Sequence, residues 1–392
     1  MYNSGVNSIS IKEINRALIL KLICTNKDVS RIWLANETGL TRMTLSNIIN
    51  SLTEKGFLCD IRDLATEKVV GRRPVKVDLD PNAPVVAGIS ISRNACTGIV
   101  MDLKANMITK TIREVSKDDT RETLVAKIRK TAKDLVSSTK RQILGFGVSS
   151  IGPVDIENGI ILNPVNFYDI TDVHITDEIK DVTGIDAYLL NEMSAAALVE
   201  KYYGYGVEIT DFAYIGVTNG IGAGCVLGGE LFISKTGFSG EFGHTSIDLN
   251  GPLCGCGNKG CIEMYAAVPR IIEAVNAACG TEFTELEQIN DFAKENEQAD
   301  KVLKDIGVKM AVAVTNLMNI IDPSRIIFGD ECCVLDEKYF KLLENEVNKR
   351  ILSRRSKKVK VMKSTFGVNA PVIGSATIVA DRIFTNRLKI FE

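Results

Sequence analysis

Apolar positions in the first eighty residues recur at helical spacing and stop at short polar breaks. Ile11, Ile14, Leu18, Ile19 and Leu22 line one face over residues 11–24, which predicts a first helix. After the break Asp28–Ser30, a short second helix is expected over Arg31–Glu37, with Ile32, Leu34 and Ala35 available for packing and Trp33 in the core of this region. Thr38-Gly39-Leu40 reads as a turn, and Thr41 as the N-cap of a third helix from about Arg42 to Lys55, closed by Gly56. Leu45, Ile48, Ile49 and Leu52 would face inward, leaving Arg42, Thr44, Asn47 and Asn50 largely outside. Two short strands, Phe57–Asp60 and Val75–Leu79, follow, joined through Gly71-Arg72-Arg73-Pro74.

Beyond Asp80-Pro81-Asn82-Ala83-Pro84 the periodicity changes. Val85–Ile91, Thr97–Asp102 and Met107–Val115 read as consecutive strands, Arg121–Thr139 as an amphipathic helix and Ile143–Ser149 as a strand. A strand at Ala187–Asn191 leads into an Ala-rich helix, Glu192–Gly204. Strands Phe212–Thr218 and Ala223–Leu227 bracket the glycine-rich stretch 219–224; helices follow at Pro269–Cys279 and Asp305–Ile321, with strands at Arg325–Phe328 and Val359–Met362. Three strands, then alternating helices and strands, indicate a mixed α/β body.

Helix, glycine turn, a helix with Arg, Thr and Asn outside, and a ribbon with arginines at its tip form a winged helix-turn-helix pattern. Thr41, Arg42, Thr44 and Asn47 are the candidate base and backbone contacts, and Arg72 and Arg73 the phosphate or minor-groove contacts. Charge points the same way: residues 1–80 hold 12 Lys+Arg against 9 Asp+Glu, while the remainder holds 35 against 40. Apolar content of 45% and charged content of 24% fit an ordinary globular protein, and no apolar run reaches membrane-spanning length, so no membrane association is expected. Without a signal-peptide pattern, ten cysteines read as reduced thiols plus a metal site in a cytoplasmic protein. Cys332-Cys333 and the other scattered cysteines are expected to pack as small hydrophobes.

The densest chemistry runs from Gly240 to Glu263. His244, Cys254, Cys256 and Cys261 are a Cys3His set suited to a closed, structural tetrahedral zinc, with Glu241 and Glu263 left over beside it.

This stretch, Gly-Glu-Phe-Gly-His followed by Cys-Gly-Cys-Gly-Asn-Lys-Gly-Cys-Ile-Glu, resembles the ROK family of repressors, open reading frames and kinases, and the resemblance covers almost the whole chain. It implies an N-terminal winged helix-turn-helix, mainly α, followed by a two-lobed α/β actin-like (RNase-H-like) sugar-kinase fold. The expected domains are 1–80, a first lobe 81–200 joined by a C-terminal helix 374–392, and a second lobe 201–373 with the zinc loop. It implies sugar contacts by Asn166, Asn191, Glu192, Glu241, His244 and Glu263, with Glu192 at the kinase-base position. Where family kinases begin their first lobe with Asp-x-Gly-Gly-Thr-Lys, this chain has Ser90-Ile91-Ser92-Arg93-Asn94-Ala95, which removes the phosphate-admitting glycines and the acid beside the metal nucleotide. Thr218-Asn219 and Gly329-Asp330 replace Gly-Thr and Gly-Gly pairs. The expectation is therefore no nucleotide and no enzyme activity. The chain would be a repressor of carbohydrate-use genes, released from a roughly palindromic operator by a small sugar or sugar phosphate, and a homodimer or tetramer. The alternative is an ATP-dependent sugar kinase with an appended DNA-binding head.

Overall fold

The fold, taken from a computed structural model, is described for residues 8–61, 76–164, 167–234 and 237–391. Arg72, Arg73 and Asn166 lie outside the described residues. The chain divides into two compact units, one of Met1–Val148, His174–Leu189 and Ser375–Glu392, the other of Ser149–Val173 and Leu190–Gly374.

The first unit opens with three helices, α1 (Ser8–Thr25), α2 (Arg31–Thr38) and α3 (Arg42–Glu54). Ser30 caps α2 by accepting from the Trp33 amide, and Gly39, at φ 67°, ends it. Thr41 caps α3, its hydroxyl accepting from the Thr44 amide at 3.2 Å. Leu45, Ile48, Ile49 and Leu52 are buried, each contributing roughly 1.5–3 kcal/mol. Trp33 is only half-buried, so the core here is aliphatic. Arg16 pairs with Glu13 and also donates to Ser51 Oγ at 2.8 Å, tying α1 to α3. Strands β1 (Leu58–Ile61) and β2 (Lys76–Leu79) pair antiparallel, Leu58 opposite Leu79. The tail returns to this region: Phe391 is buried edge-on against Phe57 and its carbonyl accepts from Lys55.

A hairpin meander of β3 (Val85–Ile91), β4 (Ala95–Met101) and β5 (Met107–Glu114) then leads through α4 (Arg121–Ser137) to β6 (Ile143–Ser150). The small ribbon β7 (Val154–Asp155) and β8 (Ile160–Ile161) precedes α5 (Ile175–Thr183) and β9 (Ala187–Asn191). The sheet order is β5-β4-β3-β6-β9, and β3 is buried at every position. The sequence pattern passes over α5.

The second unit starts its main sheet after α6 (Glu192–Tyr203), with β10 (Phe212–Val217), β11 (Ile221–Leu227) and β12 (Glu230–Leu231). Helices α7 (Glu263–Ala266), α8 (Val268–Cys279), α9 (Leu286–Phe292) and α10 (Glu297–Ile321) follow, then β13 (Arg325–Gly329), α11 (Glu337–Arg350), β14 (Lys360–Lys363) and α12 (Ala370–Phe384). The strand order is β12-β11-β10-β13-β14, with β10, β13 and β14 parallel. Helix α10 begins two turns before the expected Asp305, because Asn296 caps it and Ala299 and Leu303 are buried. Helix α12 ends at Phe384, short of the expected residue 392, where Asn386 adopts φ 57°.

The unit boundary differs from the 81–200 and 201–373 split. Helix α6 belongs to the second unit because its small face lies flat on the sheet: a Cβ at Gly224 of β11 would overlap the Met193 carbonyl and crowd Ala197. Its far end is held by Glu200, a fully buried carboxylate that accepts from the Tyr205 and Thr365 amides and the Ser364 and Thr365 hydroxyls. Four donors compensate a charge that burial alone would make costly. The start of α6, where Asn191 and Glu192 sit, is thus anchored to a rigid sheet. No described helix is long and apolar enough to cross a membrane.

Candidate metal centre and polar site

The metal loop is built from turns. A 3-10 turn, Phe242–His244, is followed by bridges between Ser246 and Cys261 and between Leu253 and Lys259. The Cys254 amide donates to Asn258 O and the Gly257 amide to Cys254 O, curling the chain round the thiols. Gly260 sits at φ 67° against Asp248 O, where any side chain would collide.

This folding gathers the ligand atoms of His244, Cys254, Cys256 and Cys261 within 4.8 Å of one another. Cys256 Sγ and Cys261 Sγ are 3.7 Å apart, and Cys254 Sγ is 3.6 Å from His244 Nδ1. A tetrahedral zinc with its usual bond lengths needs edges of about 3.8 Å between sulfurs and about 3.6 Å between sulfur and nitrogen. The donor set therefore fits such an ion in both chemistry and size. Burial pushes the thiols of Cys254 and Cys261 up, the latter to about 12, whereas the Asn258 amide lowers that of Cys256. A dication at the centre would reverse the cost of ionising them.

With Nδ1 turned to the thiols, the other ring nitrogen of His244 points at Glu241, Nε2 lying 3.9 Å from Oε2. Desolvation raises the Glu241 carboxyl above its ordinary range; His244 opposes this and Glu263 adds to it. Glu263, first residue of α7, accepts from the Ile221 amide at 3.1 Å. Asn191 caps α6 through Oδ1, which accepts from the Met193 amide at 2.9 Å. Its Nδ2 and Glu241 Oε1 lie 2.7 and 3.6 Å from where a Cβ on Gly152 would stand. Asn191, Glu241, His244 and Glu263 thus converge, with Gly152 among them, within the second unit.

Glu192 has a different neighbour. Asp330, directly after β13, is buried at φ 65° and accepts from Tyr214 Oη at 3.2 Å. Its carboxyl is pushed well above the usual range, by burial first and then by the Glu192 charge. The sequence pattern marked Asp330 only as a departure from Gly-Gly; that it faces Glu192 needed the β10–β13 pairing. The tight turn between β10 and β11 is residues 218–220, the Thr218 amide donating to Gly220 O, while Gly222 and Gly224 already belong to β11 and pack under α6.

In the first unit Thr41, Arg42, Thr44 and Asn47 are all exposed at the start of α3. Met43, which the hydropathy pattern does not single out, stands beside them 77% exposed. The Ser90–Ala95 segment is a hairpin turn closed on itself: the Ser92 amide donates to Ala95 O and the Ala95 amide to Ser92 Oγ. His174 lies exposed at the start of α5, away from any ligand cluster among the described residues.

A three-helix head with a strand ribbon, followed by two five-stranded α/β sheets and a Cys3His loop, has a counterpart among solved structures. A ROK family transcriptional regulator described as a homolog of the E. coli Mlc protein superposes with a TM-score of 0.82 at 22% identity, covering 97% of this chain and 98% of that one. Residues 86–382 match the ROK family, and the chain belongs to it. The xylose repressor of Bacillus subtilis is 27% identical over 378 residues, 95% of this chain and 96% of that protein. The glucokinase of Thermotoga maritima is 28% identical over 291 residues, 71% of this chain and 91% of that enzyme.

Proposed function

We propose that this protein is a sugar-responsive DNA-binding transcriptional regulator, a repressor of carbohydrate-use genes, and not a kinase. The observation that carries the reading is the pairing, in one chain, of an exposed Arg42/Thr44/Asn47 helix face with a polar cluster of Asn191, Glu241, His244 and Glu263. Full-length similarity to a xylose repressor supports it, and the glucokinase match covers a smaller share of the chain.

In this reading α3 enters the major groove, where Arg42 and Asn47 can bond bidentately to guanine and adenine edges. Arg72 and Arg73 contact phosphates or the minor groove. A single head reads one half-site, so the working species is a homodimer on a roughly palindromic operator. Carboxylates, an amide and an imidazole suit the hydroxyls of a sugar or sugar phosphate, since each unpaired buried group would cost about 1–3 kcal/mol. Asn166 and Glu192 complete that set. Zinc at His244, Cys254, Cys256 and Cys261 supplies charge compensation and a cross-link, with no coordination position left for catalysis. His244 then carries the rigidity of the loop to Glu241. The Ser92–Ala95 turn spends its amides on its own carbonyl and hydroxyl, which opposes phosphate binding there. The protein works in the cytoplasm.

The test is operator binding by fluorescence anisotropy across a panel of sugars and sugar phosphates, alongside a coupled ATP-turnover assay. One sugar should weaken DNA binding at least tenfold with no ATP consumed. Sugar-dependent ATP turnover, or DNA affinity indifferent to every sugar, would sink the reading.

A further inference from the structure

Helix α3 carries five apolar residues, and four of them, Leu45, Ile48, Ile49 and Leu52, are buried. The fifth, Met43, is 77% exposed. Met43, Asn47 and Asn50 recur at i, i+4 and i+7, so they share one stripe of the helix, and all three are exposed. At about 100° per residue, Met43 points roughly 170° away from the mean direction of the four buried side chains. It therefore stands on the outermost line of α3, one turn before Asn47.

A lone exposed apolar side chain is ordinary on a protein surface. Met43 differs in its company. Arg42, Thr44, Asn47 and Asn50 around it are polar and exposed. Thr41 and Thr44 are already engaged with each other: their hydroxyls lie 2.9 Å apart, and Thr41 also accepts from the Thr44 amide at 3.2 Å. That cap fixes the first turn and with it the point from which Met43 projects. The unbranched thioether chain stays free to fit what it meets.

The major groove of DNA offers hydrogen-bonding edges and one apolar group, the C5 methyl of thymine. A methionine has only a weak acceptor to offer those edges and gains chiefly by covering the methyl. We propose that Met43 reads one thymine in each half-site through its C5 methyl, which separates thymine from cytosine at that place. Asn47 lies four residues on, about 6 Å along the helix axis. That is close to two base steps of about 3.4 Å, so the thymine falls within about two steps of the base that Asn47 contacts. The proposal rests on the DNA-binding reading above and adds to it a residue, a base and a spacing.

The probe is the duplex that the full-length parent selects from a random pool. Each thymine is replaced in turn, in both half-sites, by deoxyuridine, which removes the methyl and leaves every hydrogen-bonding group. Fluorescence anisotropy reads binding by the parent, Met43→Ala and Met43→Leu, with circular dichroism to confirm folding. One replacement should cost the parent about fourfold per half-site, the gain expected from covering one methyl. Met43→Ala should bind the thymine and deoxyuridine duplexes equally, and Met43→Leu should keep a preference for thymine. A parent indifferent to every replacement overturns the inference, as does a Met43→Ala variant as sensitive as the parent. Equal weakening of Met43→Ala on selected and unrelated duplexes would make Met43 a backbone contact, and the inference fails. A selection that enriches no sequence removes the DNA-binding reading itself.

Discussion

At the scale of single residues, position counts for more than type. Glu241, Glu263, Glu192 and Asp330 are all acids near the candidate site, yet one faces a histidine, one a backbone amide and two each other. The Asp330 carboxyl holds its proton to higher pH in the folded chain than in the unfolded one. Between those two values the unfolded state has lost a proton that the folded state keeps, so stability falls as pH rises. Asp330→Asn removes that penalty and tolerates the left-handed backbone. The variant should melt higher than the parent at pH 8, with the gap closing toward pH 4; a constant gap across pH would argue against it. The thiols give a second prediction at this scale. Cys256→Ser should lower bound zinc, measured by elemental analysis, from about one per chain toward zero, and lower the melting temperature, because a structural ion's binding energy is folding energy. Retained zinc at full occupancy would count against the four-ligand assignment.

At the scale of elements, α6 and α3 do the positioning. Helix α6 lies on β11 only because Gly224 leaves room for the Met193 carbonyl. Gly224→Val should destabilise by about 1–3 kcal/mol or more through overpacking and should disturb Asn191 at the helix start. Chemical denaturation reads the first effect and sugar titration the second. Helix α3 shows its polar face because four aliphatic residues bury the other. Asn47→Ala should cost about 1–3 kcal/mol of base discrimination, seen as a smaller ratio of operator to non-specific affinity in competition binding. Equal loss on all DNA would make Asn47 a backbone contact instead. The elements legible in the sequence were those whose pattern is unambiguous: β3 and β9 match their expected bounds, and α3 its start. Those passed over share a physical reason. Helix α11 buries Tyr339, Phe340, Leu343 and Val347, but nine of its remaining residues are Lys, Glu, Asn or Arg, so its apolar stripe is narrow. The first turns of α10 bury only Ala299 and Leu303.

At the scale of the whole molecule, a ligand that binds only the folded chain stabilises it by mass action. A sugar that binds the folded chain at a hundred times its dissociation constant should stabilise it by about 2.7 kcal/mol. A thermal-shift screen should therefore find one chemical class of sugar that raises the melting temperature, and Glu263→Ala should abolish that shift while zinc content is unchanged. Loss of zinc together with the shift would mean that Glu263 supports the loop instead of touching ligand.

The sequence alone offered whatever depends on local spacing. The helix-turn-helix pattern and the Cys3His set each lie within a few tens of residues, where residue type and interval suffice to propose them; the missing phosphate glycines were read only through the family resemblance. The tertiary structure decided what depends on long-range pairing. It assigned α6 to the second unit, brought Asp330 within the field of the Glu192 charge across 138 positions of chain, and brought Asn191 and Glu241 together at the place where a Cβ on Gly152 would stand. Side-chain periodicity records which face of an element is buried and not what covers it, so such meetings exist only once the strands have paired.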